Sequence, residues 1–262
     1  ISAARGFGNT IPDPAPYGFY FAGRVMTAFL GALTVPLVYV LASRLYDRRT
    51  GLVSSTLLTF CLLHVVHSHY VTTDVPMALF VTLTLVFCSL VLQKAEKKYI
   101  ILAALFAGLS TSTKYPGAVT LLPVLVAQVL VPATRGWERL GQRLGLSVGA
   151  FMVGFLVGTP YAFLELNTFL SSLASVLGHY GTSQPGFEGG NTWLWYLRQT
   201  LTSADAALAG LGLAGIVWAA VKRRRGDLLL LSFAVPYYLL ISLWQVRFER
   251  NLVPLLPVLM VL

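Results

Sequence analysis

Apolar runs follow one another along the whole chain with only short polar stretches between them, and this pattern leaves few folds open. The runs cover residues 21–45, 52–70, 75–92, 99–113, 116–131, 144–164, 204–221 and 228–244, and a shorter one, 252–262, closes the sequence. Several approach the ~20 residues that carry a helix across a bilayer. Hydrophobic residues make up 56% of the chain and charged residues 11%, too little charge to cover a water-exposed surface. A backbone in lipid must satisfy its own hydrogen bonds, which helices do, and the ten-residue alternating segments of a membrane barrel are absent from the sequence. The fold class expected is all-α: a polytopic transmembrane bundle with about eight to nine membrane segments. Runs 99–113 and 116–131 are short and predict a tilted or shallow hairpin.

Charge fixes the expected orientation. Arg44, Arg48 and Arg49 follow the first run, and Lys94, Lys97 and Lys98 follow the third. Arg135, Arg139 and Arg143 precede run 144–164, and Lys222, Arg223, Arg224 and Arg225 precede run 228–244. If the spans alternate, these thirteen of the 19 Lys and Arg residues share one side, which the positive-inside bias makes cytoplasmic. The net charge of +9 is thereby read as membrane topology, and nucleic acid is not expected as a partner. The other side holds the longer polar segments. Pro12, Pro14 and Pro16 argue against regular helix in residues 1–20, with Asp13 in a turn. Residues 167–202 form the large outer loop. Within it Phe169, Leu170, Leu173, Val176 and Leu177 have the spacing of an interfacial amphipathic helix, and Trp193, Trp195 and Tyr196 that of an aromatic belt. The chain does not open on Met, and its last run is half a span, so both ends are expected to be cut. Cys61 and Cys88 lie in apolar runs and predict no disulfide.

Three clusters on the expected outer side combine residue types that carry chemistry. The first lies between the second and third runs: His67, His69, Tyr70 and Asp74, with Pro76 just beyond. His67, Tyr70 and Asp74 share a face if one helix runs through them. A carboxylate beside imidazoles can orient a base, hold a sugar hydroxyl or bind a divalent metal; Asp74 as N-cap of the next helix is an equal alternative. The second is Lys114 with Tyr115 at the hairpin tip, suited to a lipid phosphate or to snorkelling towards headgroups. The third is Arg247-Phe248-Glu249-Arg250. Its two Arg residues stand i, i+3 and can grip a phosphate together, the alternative being a local ion pair with Glu249.

The segments Gly23-Arg24-Val25, Phe29-Leu30-Gly31-Ala32-Leu33-Thr34-Val35 and Arg44-Leu45-Tyr46-Asp47 resemble polyprenol-phosphate-dependent C-type glycosyltransferases, such as protein O-mannosyltransferases and the lipid A aminoarabinose transferase. The stretch from His67 to Asp74-Val75-Pro76 is a stronger match. So is Gly108-Leu109-Ser110-Thr111-Ser112-Thr113-Lys114-Tyr115-Pro116, and Arg247-Phe248-Glu249-Arg250-Asn251 resembles the family's Arg-rich start of a late span. The resemblance implies a single glycosyltransferase-like transmembrane domain over residues 1–262 that lacks the N-terminal span and first outer loop, where the family keeps its catalytic Asp. It implies transfer of a sugar, with inversion, from a polyprenyl phosphate to a lipid, glycan or protein acceptor on the outer face. Asp74 would be the family's second outer-face Asp and is the expected catalytic-site carboxylate. Lys114, Arg250 and Arg247 would contact the donor phosphate, with His67, His69, Tyr70 and Tyr115 as neighbours. Alone, the fragment is expected to be inactive.

No Asn-x-Ser/Thr pattern is present, which fits a bacterial plasma membrane. A transporter or flippase of lipid-linked sugars is the alternative, but such folds favour repeats and broken helices at the midplane. A membrane scaffold would leave the outer His, Asp, Lys and Arg residues without a role.

Overall fold

A computed structural model describes residues 15–131, 137–181 and 190–262, with side chains from residue 18 and, after the first gap, from residue 140. Asp13, Arg5, Arg135, the side chain of Arg139 and the Gly-rich part of the outer loop lie outside them. Every element among the described residues is helical. They are α1 (Ala15–Leu45), α2 (Arg48–Phe60), α3 (Leu62–Ser68), α4 (Asp74–Lys94) and α5 (Lys97–Thr113). A 3-10 turn (Tyr115–Thr120) leads into α6 (Leu121–Leu130), followed by α7 (Trp137–Gly158), α8 (Tyr161–Leu164), α9 (Leu166–Gly181), α10 (Thr192–Thr202), α11 (Ala206–Lys222) and α12 (Arg225–Ser242). A second 3-10 turn (Glu249–Leu255) and α13 (Leu256–Val261) end the chain.

Among the described residues, four helices are long and apolar enough to cross a membrane: Gly18–Leu45, Asp74–Lys94, Leu140–Gly158 and Arg225–Ser242. The pair α2 and α3 adds a fifth if it is one span bent by 59°. This is fewer than the sequence suggested, because 52–70 breaks at Cys61 and the hairpin and the 204–221 run form shorter apolar helices. Residues 97–130 do form two helices joined at the 3-10 turn. The segment before the first span departs from expectation, since helix already begins at Ala15, with Pro16 tolerated in the first turn. The helix expected in residues 167–202 is present as α9, with no buried residue and with Leu166, Leu170 and Leu177 at least half exposed.

α4 is the central helix, buried along most of its length against α1, α5, α12 and the C-terminal turns. Its ends lie about 30 Å apart at the helical rise per residue. At its C-terminal end Gln93 Nε2 donates to the carbonyl of Arg44 at 3.0 Å. Nearby, Tyr46 Oη donates to Asp227 at 2.6 Å. The chain thus gathers Arg44, Lys94 and Arg224 at one end of the bundle, as the charge pattern predicted. The opposite end is made by the start of α4, the end of α5 and the start of the last turn. α5 reaches that end along α7 in backbone contact. A Cβ on Gly108 would fall 2.1 Å from the Phe151 carbonyl oxygen, and one on Gly154 2.2 Å from that of Leu105. This small-residue seam is how helices associate where lipid gives no hydrophobic drive.

Candidate functional site

Asp74 is the first residue of α4 and is 1% exposed. The cap position of α4 is Thr73, and both Asp74 oxygens face cations instead, so the capping alternative does not hold. Lys114 Nζ bonds its Oδ1 at 2.5 Å, and Arg250 Nε stands 3.8 Å from its Oδ2. Lys114 does not snorkel: its side chain is mostly buried and its second bond, at 2.8 Å, goes to Asn251 Oδ1. Asn251 Nδ2 donates to Tyr196 Oη at 2.8 Å, and the Asn251 carbonyl accepts from Tyr237 Oη at 3.0 Å. One residue, through its side-chain amide and its backbone carbonyl, therefore joins the end of α5, α10 and α12. Arg250 is half-exposed, and its guanidinium lies 4.4 Å from the Phe248 ring centre.

The chain reaches this geometry through local breaks. α3 ends at Ser68 and α4 begins at Asp74, so His67, Tyr70 and Asp74 do not share one helical face. His67 is half-buried, its ring 6.1 Å from that of Tyr70, and its Nδ1 has no hydrogen-bond partner among the described residues. His69 is exposed and turns back, Nδ1 donating to the Val65 carbonyl at 2.7 Å. Tyr115 packs edge-on against Phe169 of α9, at 6.3 Å. Arg247 leaves the cluster. It is 9% exposed, with one terminal nitrogen 2.6 Å from the Gly190 carbonyl and Nε 3.3 Å from Thr192 Oγ1. Its i, i+3 spacing from Arg250 has no helix beneath it, because the chain is extended until the 3-10 turn begins at Glu249. Glu249 instead accepts from Gln199. Arg247 thus pins the return of the outer loop. Tyr180, stacked on Trp244 at 4.3 Å, pins its outward arm.

Sequence reasoning missed Asn251, Tyr196 and Tyr237. An Asn inside an apolar run was the available signal, since such a group needs partners in a membrane. Tyr196, read as an interfacial belt residue, is fully buried. Burial raises the Tyr196 and Tyr180 phenols above their ordinary range, so both stay protonated, and the Tyr196 oxygen is free to accept from Asn251.

Two cavities meet at this end. One, of about 380 Å³, is lined by Tyr20, Arg24, His67, Tyr70, Val71, Thr72 and Arg250. The other, of about 570 Å³, is apolar and lies among α3, α10, α11, α12 and the C-terminal turns. His67 lines both. Among the described residues no three His, Cys, Asp or Glu side chains come together, and both Asp74 oxygens face cations.

Fold and cluster define an integral membrane protein whose polar side chains converge at one end of a helical bundle. Residues 20–162, more than half of the chain, match the dolichyl-phosphate-mannose-protein mannosyltransferase family, and the chain belongs to that family. The match includes Asp74 and Lys114 and ends before Arg250. No curated protein sequence matches. Among solved structures, ArnT from Cupriavidus metallidurans bound to undecaprenyl phosphate aligns with a TM-score of 0.68 and 22% identity, covering 91% of this chain and 44% of that one. Its apo state aligns with the same score at 21% identity, over the same shares. The archaeal oligosaccharyltransferase AglB from Archaeoglobus fulgidus, in complex with an inhibitory peptide and a dolichol-phosphate, gives 0.52 and 17%, covering 91% and 39%. At these identities the likeness shows a common fold. The chain spans less than half the length of these neighbours.

Proposed function

We propose that this chain forms the donor-binding end of a membrane glycosyltransferase that moves a sugar from a polyprenyl phosphate to an acceptor hydroxyl on the outer face of a bacterial plasma membrane. The observation that carries the reading is Asp74 gathering Lys114 and Arg250 beside an apolar cavity of about 570 Å³. An isoprenoid chain suits the apolar cavity, and its phosphate suits the smaller one, where Arg24 and Arg250 both face. Binding of undecaprenyl phosphate by ArnT and of a dolichol-phosphate by AglB supports this assignment.

The chemistry follows from charge. As the bond from sugar to phosphate breaks, the lipid phosphate gains negative charge, and cations held beforehand in a partly dehydrated site favour that change. Arg250 has an exposed guanidinium edge for the phosphate. Lys114 has used two of its three N–H donors and keeps one. Asp74 fixes where both cations stand, which is a positioning role. His67, with its orphaned Nδ1 at the junction of the cavities, is placed to hydrogen-bond the phosphate or the sugar. The test is binding of undecaprenyl phosphate to the full-length protein in micelles, followed by native mass spectrometry. Arg250→Ala is expected to weaken binding roughly a hundredfold, the worth of a charge-assisted contact to phosphate. Equal affinity in wild type and variant rejects the site.

A further inference from the structure

The break between α2 and α3 leaves backbone donors at the wall of the apolar cavity that no residue of their own helix can satisfy. Cys61 holds the cap position of α3 and offers no side-chain cap bond. The Leu62 and Leu63 amides instead donate to a carboxylate far along the chain: Leu62 N to Asp205 Oδ1 at 2.8 Å and Leu63 N to Asp205 Oδ2 at 2.7 Å. Cys61 Sγ lies 3.6 Å from the second oxygen. Asp205 also stands at the cap position of α11, where Asp is among the preferred residues, yet makes no cap bond to its own helix. Its side chain is spent on a neighbour, at the positive end of that neighbour's dipole. Cys61, Leu62, Leu63 and Asp205 all line the apolar cavity, and α3 carries His67 to the junction of the two cavities.

We infer that Asp205 is a positioning residue: it locks the bend of the broken span, and through α3 it sets the wall of the apolar cavity and the place of His67. For the ligand this rests on the reading of the site proposed above. Without the carboxylate, the freed amides are best satisfied by running α2 straight into α3, which moves the cavity wall and His67 together.

Two readouts on the full-length protein test it: hydrogen exchange of the Leu62 and Leu63 amides, and affinity for undecaprenyl phosphate. Asp205→Ala removes both acceptors, and Asp205→Asn keeps one oxygen. Exchange is expected to quicken roughly tenfold or more in the Ala variant and less in Asn, while the amides of α4 stay protected. Lipid affinity is expected to fall roughly tenfold in Ala and to be largely restored in Asn. Unchanged exchange in both variants overturns the inference. So does faster exchange with unaltered lipid affinity, or an Asn variant indistinguishable from Ala. If the Ala variant does not fold, the Asn variant decides by its intermediate exchange, and wild-type exchange there overturns the inference. A wild type that binds no lipid phosphate removes the reading of the site, and exchange alone then decides whether Asp205 holds the bend.

Discussion

The two ends of α4 each meet a buried carboxylate, and the two are built differently. At the basic end Asp227, 3% exposed, accepts from the Tyr46 hydroxyl and, at 2.9 Å, from the Arg224 backbone amide. Both donors are neutral and both belong to the fold. Asp227 stands three residues after Arg224 and closes the first turn of α12. Burial, then the bond to Asp227, raises the Tyr46 phenol above its ordinary range, so the donor stays in place. At the other end Asp74 faces two cations, one of them half-exposed beside a cavity. The first junction is satisfied within the chain. The second holds a half-exposed guanidinium beside a cavity, which is what the proposed donor site would use.

Four substitutions separate these roles. Asp74→Ala leaves the buried Lys114 with Asn251 alone. It is expected to lower stability by about 3 kcal/mol or more and to abolish lipid-phosphate binding, as read by thermal unfolding and native mass spectrometry in micelles. A stable, binding-competent variant would show that Asp74 holds neither the cluster nor the ligand. Tyr46→Phe removes one donor from a buried carboxylate and should cost about 2 kcal/mol of stability while leaving lipid affinity intact. Loss of binding there would erase the contrast between the ends. Arg250→Ala should leave stability within about 1 kcal/mol, because the ion pair is long and half-exposed, although affinity for the lipid falls. Arg44→Ala, whose side chain reaches Gln93 only at 3.5 Å on the surface, should change stability by less than about 0.5 kcal/mol and binding not at all.

Hydropathy and charge were enough to read the helical class and the shared end of Arg44, Lys94 and Arg224, because lipid leaves a chain few alternatives, while Asp74, Lys114 and Arg250 were singled out together by the resemblance to a glycosyltransferase family. Three things escaped. The bend at Cys61 is held by a carboxylate 144 residues away, and no local pattern announces it. Arg247 and Arg250 looked like a pair because helical spacing was assumed where the backbone is extended. Tyr196 looked interfacial because its aromatic neighbours are: Trp193 is exposed and Tyr196 is not. In each case the deciding partner arrives from a distant part of the chain.

Asn251 shows how small the distinction between a receptive and a sealed site can be. Its Oδ1 takes one proton of Lys114, and its Nδ2 gives one to Tyr196. An Asp of the same shape would exchange that NH₂ for a second anionic oxygen. The ammonium would then lie between two acids, and the Tyr196 hydroxyl would have to turn round and donate. The mouth of the bundle would become electrically quiet, with hardly an atom displaced. On the proposed reading, the affinity of this end of the molecule for an anionic headgroup depends on Asn251 remaining a neutral amide.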